Sequence, residues 1–373
     1  MADSARAAGK RRSGVRGPAR AARSGVASPP KVSRHARPDG MTVEDWQRGL
    51  RRQFGAAQTF VLKNVGTERV FSDFLVTNPA SRRTYRVAIR GEEPGVSYCD
   101  CPDFATNLLG TCKHVEFVLA TLRRRRGAAR LLREGLRPAW SSVSLVHGPR
   151  RRLRLRLADG APRGLRKVAA GLVDPDGFLR EDAYGRLAAL EGAARRAGHE
   201  LRVYDDAARF AGAILEGEER RRRLERAFPA GAASPAFDGL LKTPLPGYQR
   251  EGALFACRAG RAILADEMGL GKTVQAIAAA EIGARWLGVE RVLVVCSASL
   301  KHQWQDEAER FSTRPVTVVG GGRKARETAW GAPAFFKVTG YDTVHRDLDL
   351  ISRWAPQLVV LDEAQRIKNW ATR

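Results

Sequence analysis

The chain has 373 residues, 43% of them hydrophobic, enough for packed cores in two or three domains and too many for a wholly disordered polypeptide. Lysine and arginine number 65 against 40 acidic residues, a net charge of +25 that favours polyanions, nucleic acid first among them; solvated charged faces of an arginine-rich protein are the plainer alternative. No run approaches the ~18 apolar residues of a membrane helix, and no apolar segment follows the basic N-terminus as in a secretory signal. Five cysteines, three of them clustered, suit a reducing cytoplasm better than a disulfide scaffold.

The charge is uneven. Residues 237–373 hold 19 basic and 15 acidic side chains, so +21 of the total lies in the first 236. Residues 1–40, rich in Ala, Arg, Gly, Ser and Pro without apolar periodicity, are expected to form a disordered basic arm. A first module spans 41–130. Thr42-Val-Glu-Asp45 reads as a capping box opening a helix to about Phe54, and Thr59–Lys63, Val70–Val76 and Thr84–Ile89 read as antiparallel strands. Val115–Leu122 reads as a helix.

Between the last strand and that helix stand Cys99-Asp-Cys101 and, after a spacer of ten residues, Cys112-Lys-His114. Zinc takes four soft or borderline ligands in a tetrahedron. Each C-x-C or C-x-H pair offers two donors on one side of an extended segment, and the spacer folds one pair onto the other. A redox C-x-C would have no need of His114. The pattern resembles a SWIM zinc finger over residues 57–125, with Tyr98, Pro102 and Val115-Glu-Phe-Val118 in keeping. That resemblance implies a structural zinc on Cys99, Cys101, Cys112 and His114, and a partner that is DNA or protein. Arg123–Arg126 follows the helix, where cations suit a helix C-terminus or would contact phosphates; the sequence leaves both open.

Residues 131–236 read as an α+β connecting module. Arg150–Arg156 alternates Arg with Leu as a strand with one basic face, Glu181–Ala197 and Asp205–Phe228 read as helices, and His199–Tyr204 as a short strand. Helical ion pairing with Glu216, Glu218 and Glu219 accounts for Arg220–Arg223.

From Phe237 the pattern becomes strand–loop–helix, which predicts a mostly parallel, doubly wound α/β lobe over 237–373. Ala262–Ala265 is expected as a strand, followed by Asp266-Glu-Met-Gly269-Leu-Gly271-Lys272-Thr273 and a helix. Glycines let backbone N–H groups wrap phosphates at a helix N-terminus, Lys272 would reach the outer phosphates, and Thr273 would ligate magnesium. Asp266 stands where the generic phosphate loop has Gly. The strand Leu358–Leu361 then leads into Asp362-Glu363-Ala-Gln365, placing Asp362 to hold magnesium through water and Glu363 to orient or deprotonate the attacking water.

Residues 240–373 resemble Swi/Snf-family, superfamily 2 ATPases. The likeness rests on Asp266–Thr273, on Asp362-Glu-Ala-Gln-Arg-Ile-Lys-Asn369, and on Leu245-Pro-Gly-Tyr-Gln249, where Gln249 is implied to contact adenine. Val294–Leu300 through Trp304 and Thr339–Thr343 resemble strand-contacting motifs, with Ser297 and Gly340 departing from the usual Pro and Ser. The resemblance implies a RecA-like lobe binding ATP with magnesium and translocation along duplex DNA. The second lobe, with its arginine fingers, is not among these residues, a fragment or a natural truncation of such a motor, and they are expected to be inactive alone. Two other readings stand beside it: a zinc-dependent adaptor with a vestigial lobe, and a strand-separating helicase. A cytoplasmic site, nucleoid-associated if bacterial, is the expected location.

Overall fold

The computed structural model describes residues 31–267 and 269–367. The first thirty residues of the expected arm, Met268 of the glycine-rich loop and the Lys368-Asn369 pair lie outside the described residues. The chain separates into two compact units: one runs to Arg137 and takes in Val146–Arg151, the other comprises Pro138–Leu145 and the chain from Arg152 onward.

In the first unit, α1 (Val43–Ala56) starts as its sequence directs. Thr42 Oγ1 accepts from the Asp45 N–H at 3.1 Å, satisfying one of the orphan donors of a helix start. The helix passes Phe54 by two residues. Residues of the expected arm also touch this helix. The Trp46 indole donates to the Ser33 carbonyl at 2.7 Å and the Gln53 amide to that of Val32 at 3.2 Å, so side chains of α1 tie the preceding backbone down.

An antiparallel meander follows: β1 (Val61–Asn64), β2 (Asp73–Thr77), β3 (Thr84–Ala88) and β4 (Tyr98–Cys99), in that spatial order. β2 starts at Asp73 and not at Val70, because Asn64 captures the Glu68 carbonyl, the Gly66 N–H and the Ser72 hydroxyl and holds a loop there. α2 (Pro102–Thr106), α3 (Lys113–Arg123) and α4 (Ala128–Glu134) complete the unit around Phe74, Val76, Val87, Phe104, Val118 and Leu122. β4, α2 and α4, elements of two, five and seven residues, are too short for a periodic signal and were not expected from sequence.

In the second unit, β5 (Ser141–Val146), β6 (Arg152–Arg156) and β7 (Leu201–Val203) form a sheet of order β6-β5-β7. The Arg/Leu alternation of β6 works as expected: Leu153 and Leu155 are buried, while Arg152 and Arg154 lie over the Phe178 ring at 4.3 and 4.5 Å. α5 (Arg163–Ala170) precedes α6 (Leu187–Arg196). The helix expected from Glu181 is instead a 3₁₀ segment over Glu181–Arg186, whose tighter winding sets Tyr184 in the core against Phe210. In α7 (Asp205–Ala227), Arg222 and Arg223 meet Glu218 and Glu219 at 3.5 and 2.8 Å, the ion pairing expected there.

The remaining elements are α8 (Gly247–Ala259), α9 (Lys272–Trp286), β8 (Val292–Cys296), α10 (Lys301–Phe311), β9 (Val316–Val318), α11 (Arg323–Gly331), β10 (Phe336–Gly340), α12 (Tyr341–Arg346), α13 (Leu348–Trp354) and β11 (Leu358–Leu361). Their sheet is parallel throughout, ordered β11-β8-β10-β9. β8 and β10 are buried at every residue, as central strands covered on both faces must be. One expectation fails. Ala262–Ala265 forms no strand: among the described residues nothing pairs with it, and Ile263 is 86% exposed. An extended segment becomes a strand only where a neighbour offers a ladder, and β11 stands at the sheet edge with Val359 and Leu361 nearly half exposed. No helix among the described residues is long and apolar enough to cross a membrane.

Candidate functional site

Two sites take shape, one in each unit. In the first, Cys99 ends β4, held in register by its pairing with Val87. Asp100 bridges back to β3, its N–H donating to the Arg86 carbonyl and its carboxylate accepting from the Arg86 N–H at 3.0 Å, so the next residue turns inward. That residue, Cys101, caps α2, its Sγ accepting from the Phe104 N–H at 3.4 Å. Cys112 caps α3 and His114 lies within that helix's first turn. The second pair therefore converges across a helix start, not along an extended segment as the spacing alone suggested.

All four side chains are buried, and their donor atoms lie within 4.8 Å of one another. His114 Nδ1 stands 3.8 Å from Cys99 Sγ and 4.0 Å from Cys112 Sγ. Bonds of about 2.3 Å to sulfur and 2.0–2.1 Å to nitrogen put tetrahedral ligands about 3.6–3.8 Å apart, so the cluster is the size of a four-coordinate metal site. The electrostatics agree. Burial pushes the Cys99 and Cys112 thiols up, while hydrogen bonds from Cys112 and Cys99 pull Cys101 down. Protein groups thus stabilise one thiolate, and ionising all three needs a cation in their midst. Phe60 and Tyr85 flank the imidazole at 5.3 and 4.7 Å and close the site. Cys257 and Cys296 stand apart, buried in the second unit, their thiols raised by burial to about 12 and about 11.

In the second unit, the loop before α9 carries Gly269 and Gly271 at φ +86° and +72°, a region closed to most side chains. A Cβ on Gly271 would also stand 2.5 Å from Gln249 Nε2. Gln249, buried near the start of α8, donates that amide to the Leu270 carbonyl at 3.2 Å. Lys272 Nζ donates to the Asp266 and Glu267 carbonyls at 2.8 and 3.0 Å, curling back over its own loop, and Gln275 holds Asp266 Oδ2 at 2.6 Å. Thr273 follows, half-buried, and no side chain caps the helix start, leaving a positive helix end beside Lys272. This cradle fits an anion such as a nucleotide phosphate.

Asp362 follows β11, and its N–H extends the ladder by donating to the Val295 carbonyl at 2.9 Å. The Trp304 indole on α10 donates to Asp362 Oδ2 at 2.8 Å, and the Tyr341 hydroxyl at the start of α12 donates to the Asp362 carbonyl at 2.6 Å. Oδ1 has no partner among the described residues. Glu363 sits at φ +54°, strained for a residue with a side chain, and accepts from the Gln365 amide. The described hydrogen bonds gather Asp362 with Trp304 and Tyr341, and Lys272 with its loop and Gln249's neighbour Leu270; none joins the two groups. Sequence reasoning placed Trp304 and Tyr341 in strand-contacting motifs and missed their hold on Asp362, which no spacing of 58 or 21 residues announces.

Residues 197–373 match the family model described as SNF2-related domain, a match that begins before Phe237 and takes in α7. A chromatin-remodeling ATPase INO80 of Lodderomyces elongisporus is 31% identical over 209 residues, covering 51% of this chain and 13% of that protein. An SWI/SNF-related matrix-associated actin-dependent regulator of chromatin subfamily A-like protein 1 of Xenopus tropicalis is 33% identical over 141 residues, covering 36% and 14%. The chain thus spans about one seventh of these relatives' length. A solved structure, the Sulfolobus solfataricus SWI2/SNF2 ATPase core in complex with dsDNA, is 30% identical with a TM-score of 0.31, covering 35% of this chain and 28% of that one. Over residues 197–373 the chain is thus similar to SNF2-related domains, a similarity that supports a helicase-like lobe there.

Proposed function

We propose that the chain is part of a DNA-dependent ATPase of the translocating, remodelling type, with a SWIM-type zinc module ahead of its ATP-binding lobe. The observation that carries the reading is the glycine-rich loop at the start of α9 together with Asp362-Glu363 at the end of β11, inside the SNF2-related match. Lys272 and the α9 start would hold the nucleotide phosphates, Thr273 and Asp362 the magnesium, and Gln249 the adenine. Magnesium would neutralise charge building up on the phosphoryl oxygens. Glu363 would orient or deprotonate the attacking water. Cys99, Cys101, Cys112 and His114 would hold one structural zinc, all four positions being protein atoms with none open for catalysis.

Titration with a fluorescent ATP analogue tests the lobe. Lys272→Ala is expected to weaken binding about tenfold or more, whereas Glu363→Gln leaves it unchanged, because the lysine binds and the glutamate acts later. Equal binding by the unsubstituted chain and Lys272→Ala would remove the nucleotide reading. An adaptor with a vestigial lobe is favoured by one observation, the unpaired Ala262–Ala265 segment leading into the loop; it predicts no nucleotide binding at all.

A further inference from the structure

The run Arg123–Arg126 divides in the structure. Arg123 is engaged, its guanidinium 2.7 Å from Glu92, and a single cation is all the C-terminus of α3 requires. Arg125 and Arg126 turn instead into a recess of about 200 Å³, where Arg69 meets them from the β1–β2 loop and Arg130 from α4. Gly127 at φ +78° makes the reversal that brings Arg130 round. Val70 and Ala128, both buried, fix the two segments to the core beneath. Among the described residues the guanidinium groups of Arg69, Arg125 and Arg126 have no hydrogen-bond or acidic partner. Arg130 meets Glu134 at 3.4 Å, a pair exposed on both sides.

Four like charges around one recess repel one another, and an anion between them relieves that cost. The remaining lining is Val, Gly, Ala and Leu, so the recess offers guanidinium donors and no side-chain acceptor. A peptide segment brings N–H groups that would go unmatched there. A phosphodiester brings acceptors only, in the geometry the guanidinium fork prefers. We propose that the recess of Arg69, Arg125, Arg126 and Arg130 binds phosphodiester groups of a nucleic-acid backbone, independently of base sequence. The proposal rests on the DNA-dependent reading and gives the zinc-binding unit its own grip on the strand.

The test is anisotropy of a labelled duplex with the full chain, from low to high salt. Arg125→Gln/Arg126→Gln and, separately, Arg69→Gln/Arg130→Gln are compared with Arg195→Gln/Arg196→Gln, exposed at the end of α6, which removes the same charge elsewhere. Matched circular dichroism and metal content confirm folding. Each recess pair is expected to lower affinity about tenfold at low salt and to flatten the log–log salt slope by about 1.8, two phosphate contacts' worth, while the control pair stays within about twofold. Recess pairs that behave like the control overturn the site and leave the DNA reading standing. An unsubstituted chain that binds no duplex overturns both. Competition by polyglutamate but not by unlabelled duplex assigns the recess to an acidic protein and overturns the proposal, and displacement by millimolar inorganic phosphate without any duplex effect marks a free-anion site and does the same.

Discussion

Asp362 is held from three sides, at its N–H by β8, at its carbonyl by Tyr341 and at one carboxylate oxygen by Trp304. The indole fixes the rotamer and leaves Oδ1 without a partner among the described residues; under the proposed function Oδ1 would take a magnesium-bound water. Trp304→Phe keeps the packing and deletes the hydrogen bond, so it is expected to raise the magnesium needed for half-maximal nucleotide binding about tenfold, with little change in stability. An unchanged magnesium midpoint would show that the indole only fills space. A second residue-scale consequence concerns Lys337, fully buried in β10 between Trp330 and Trp354. Burial lowers its pKa from 10.5 to about 8. Between those values the unfolded chain binds the proton and the folded chain does not, so stability contributed by this group rises with pH from about 8 to about 10.5. Lys337→Met removes that rise, and urea midpoints at pH 7.5 and 9.5 measure it.

At the scale of elements, the unit that holds the Cys/His cluster depends on pieces that cannot stand alone. β4 has two residues and α2 has five, below any length at which strand or helix is stable by itself. Both are fastened by Cys99 and Cys101, and Cys112 stands immediately before α3. Replacing Cys101 and Cys112 by Ser is therefore expected to abolish metal binding and melt β4 and α2, with zinc falling from one equivalent per chain towards none. Elemental analysis with hydrogen exchange over residues 98–114 checks both; full retention of protection without metal would make the cluster a set of reduced thiols. The glycine-rich loop teaches the opposite lesson. Its composition announces strand, loop and helix, yet only loop and helix form, because Ala262–Ala265 has no neighbour to complete a ladder.

For the molecule as a whole, the excess of +21 in the first 236 residues sets the expected response to salt. Residues 1–30 carry seven basic and one acidic side chain, and α1 holds the backbone at Val32 and Ser33. Deleting residues 1–30 is thus expected to flatten the salt dependence of DNA binding and leave thermal stability intact. Deleting 1–40 also removes the Ser33 and Val32 carbonyls that Trp46 and Gln53 use, and should cost stability as well. Equal melting temperatures for the two deletions would contradict the role given to that contact.

The sequence by itself determined the chemistry held in short, rigid words: Cys99-Asp-Cys101 and Cys112-Lys-His114, the loop Asp266–Thr273, the pair Asp362-Glu363, and the β6 alternation that buries Leu153 and Leu155. Those are local, since ligand spacing, glycine content and period follow from neighbours along the chain. Tertiary structure decided what depends on partners far away. It chose which Arg of 123–126 is spent on Glu92 and which enter a recess with Arg69, and it brought Trp304 and Tyr341 to Asp362. It also left Ala262–Ala265 without a strand's fate. Hydrogen bonds, ladders and charge clusters join residues tens of positions apart, and only the folded chain selects among the partners that one sequence offers.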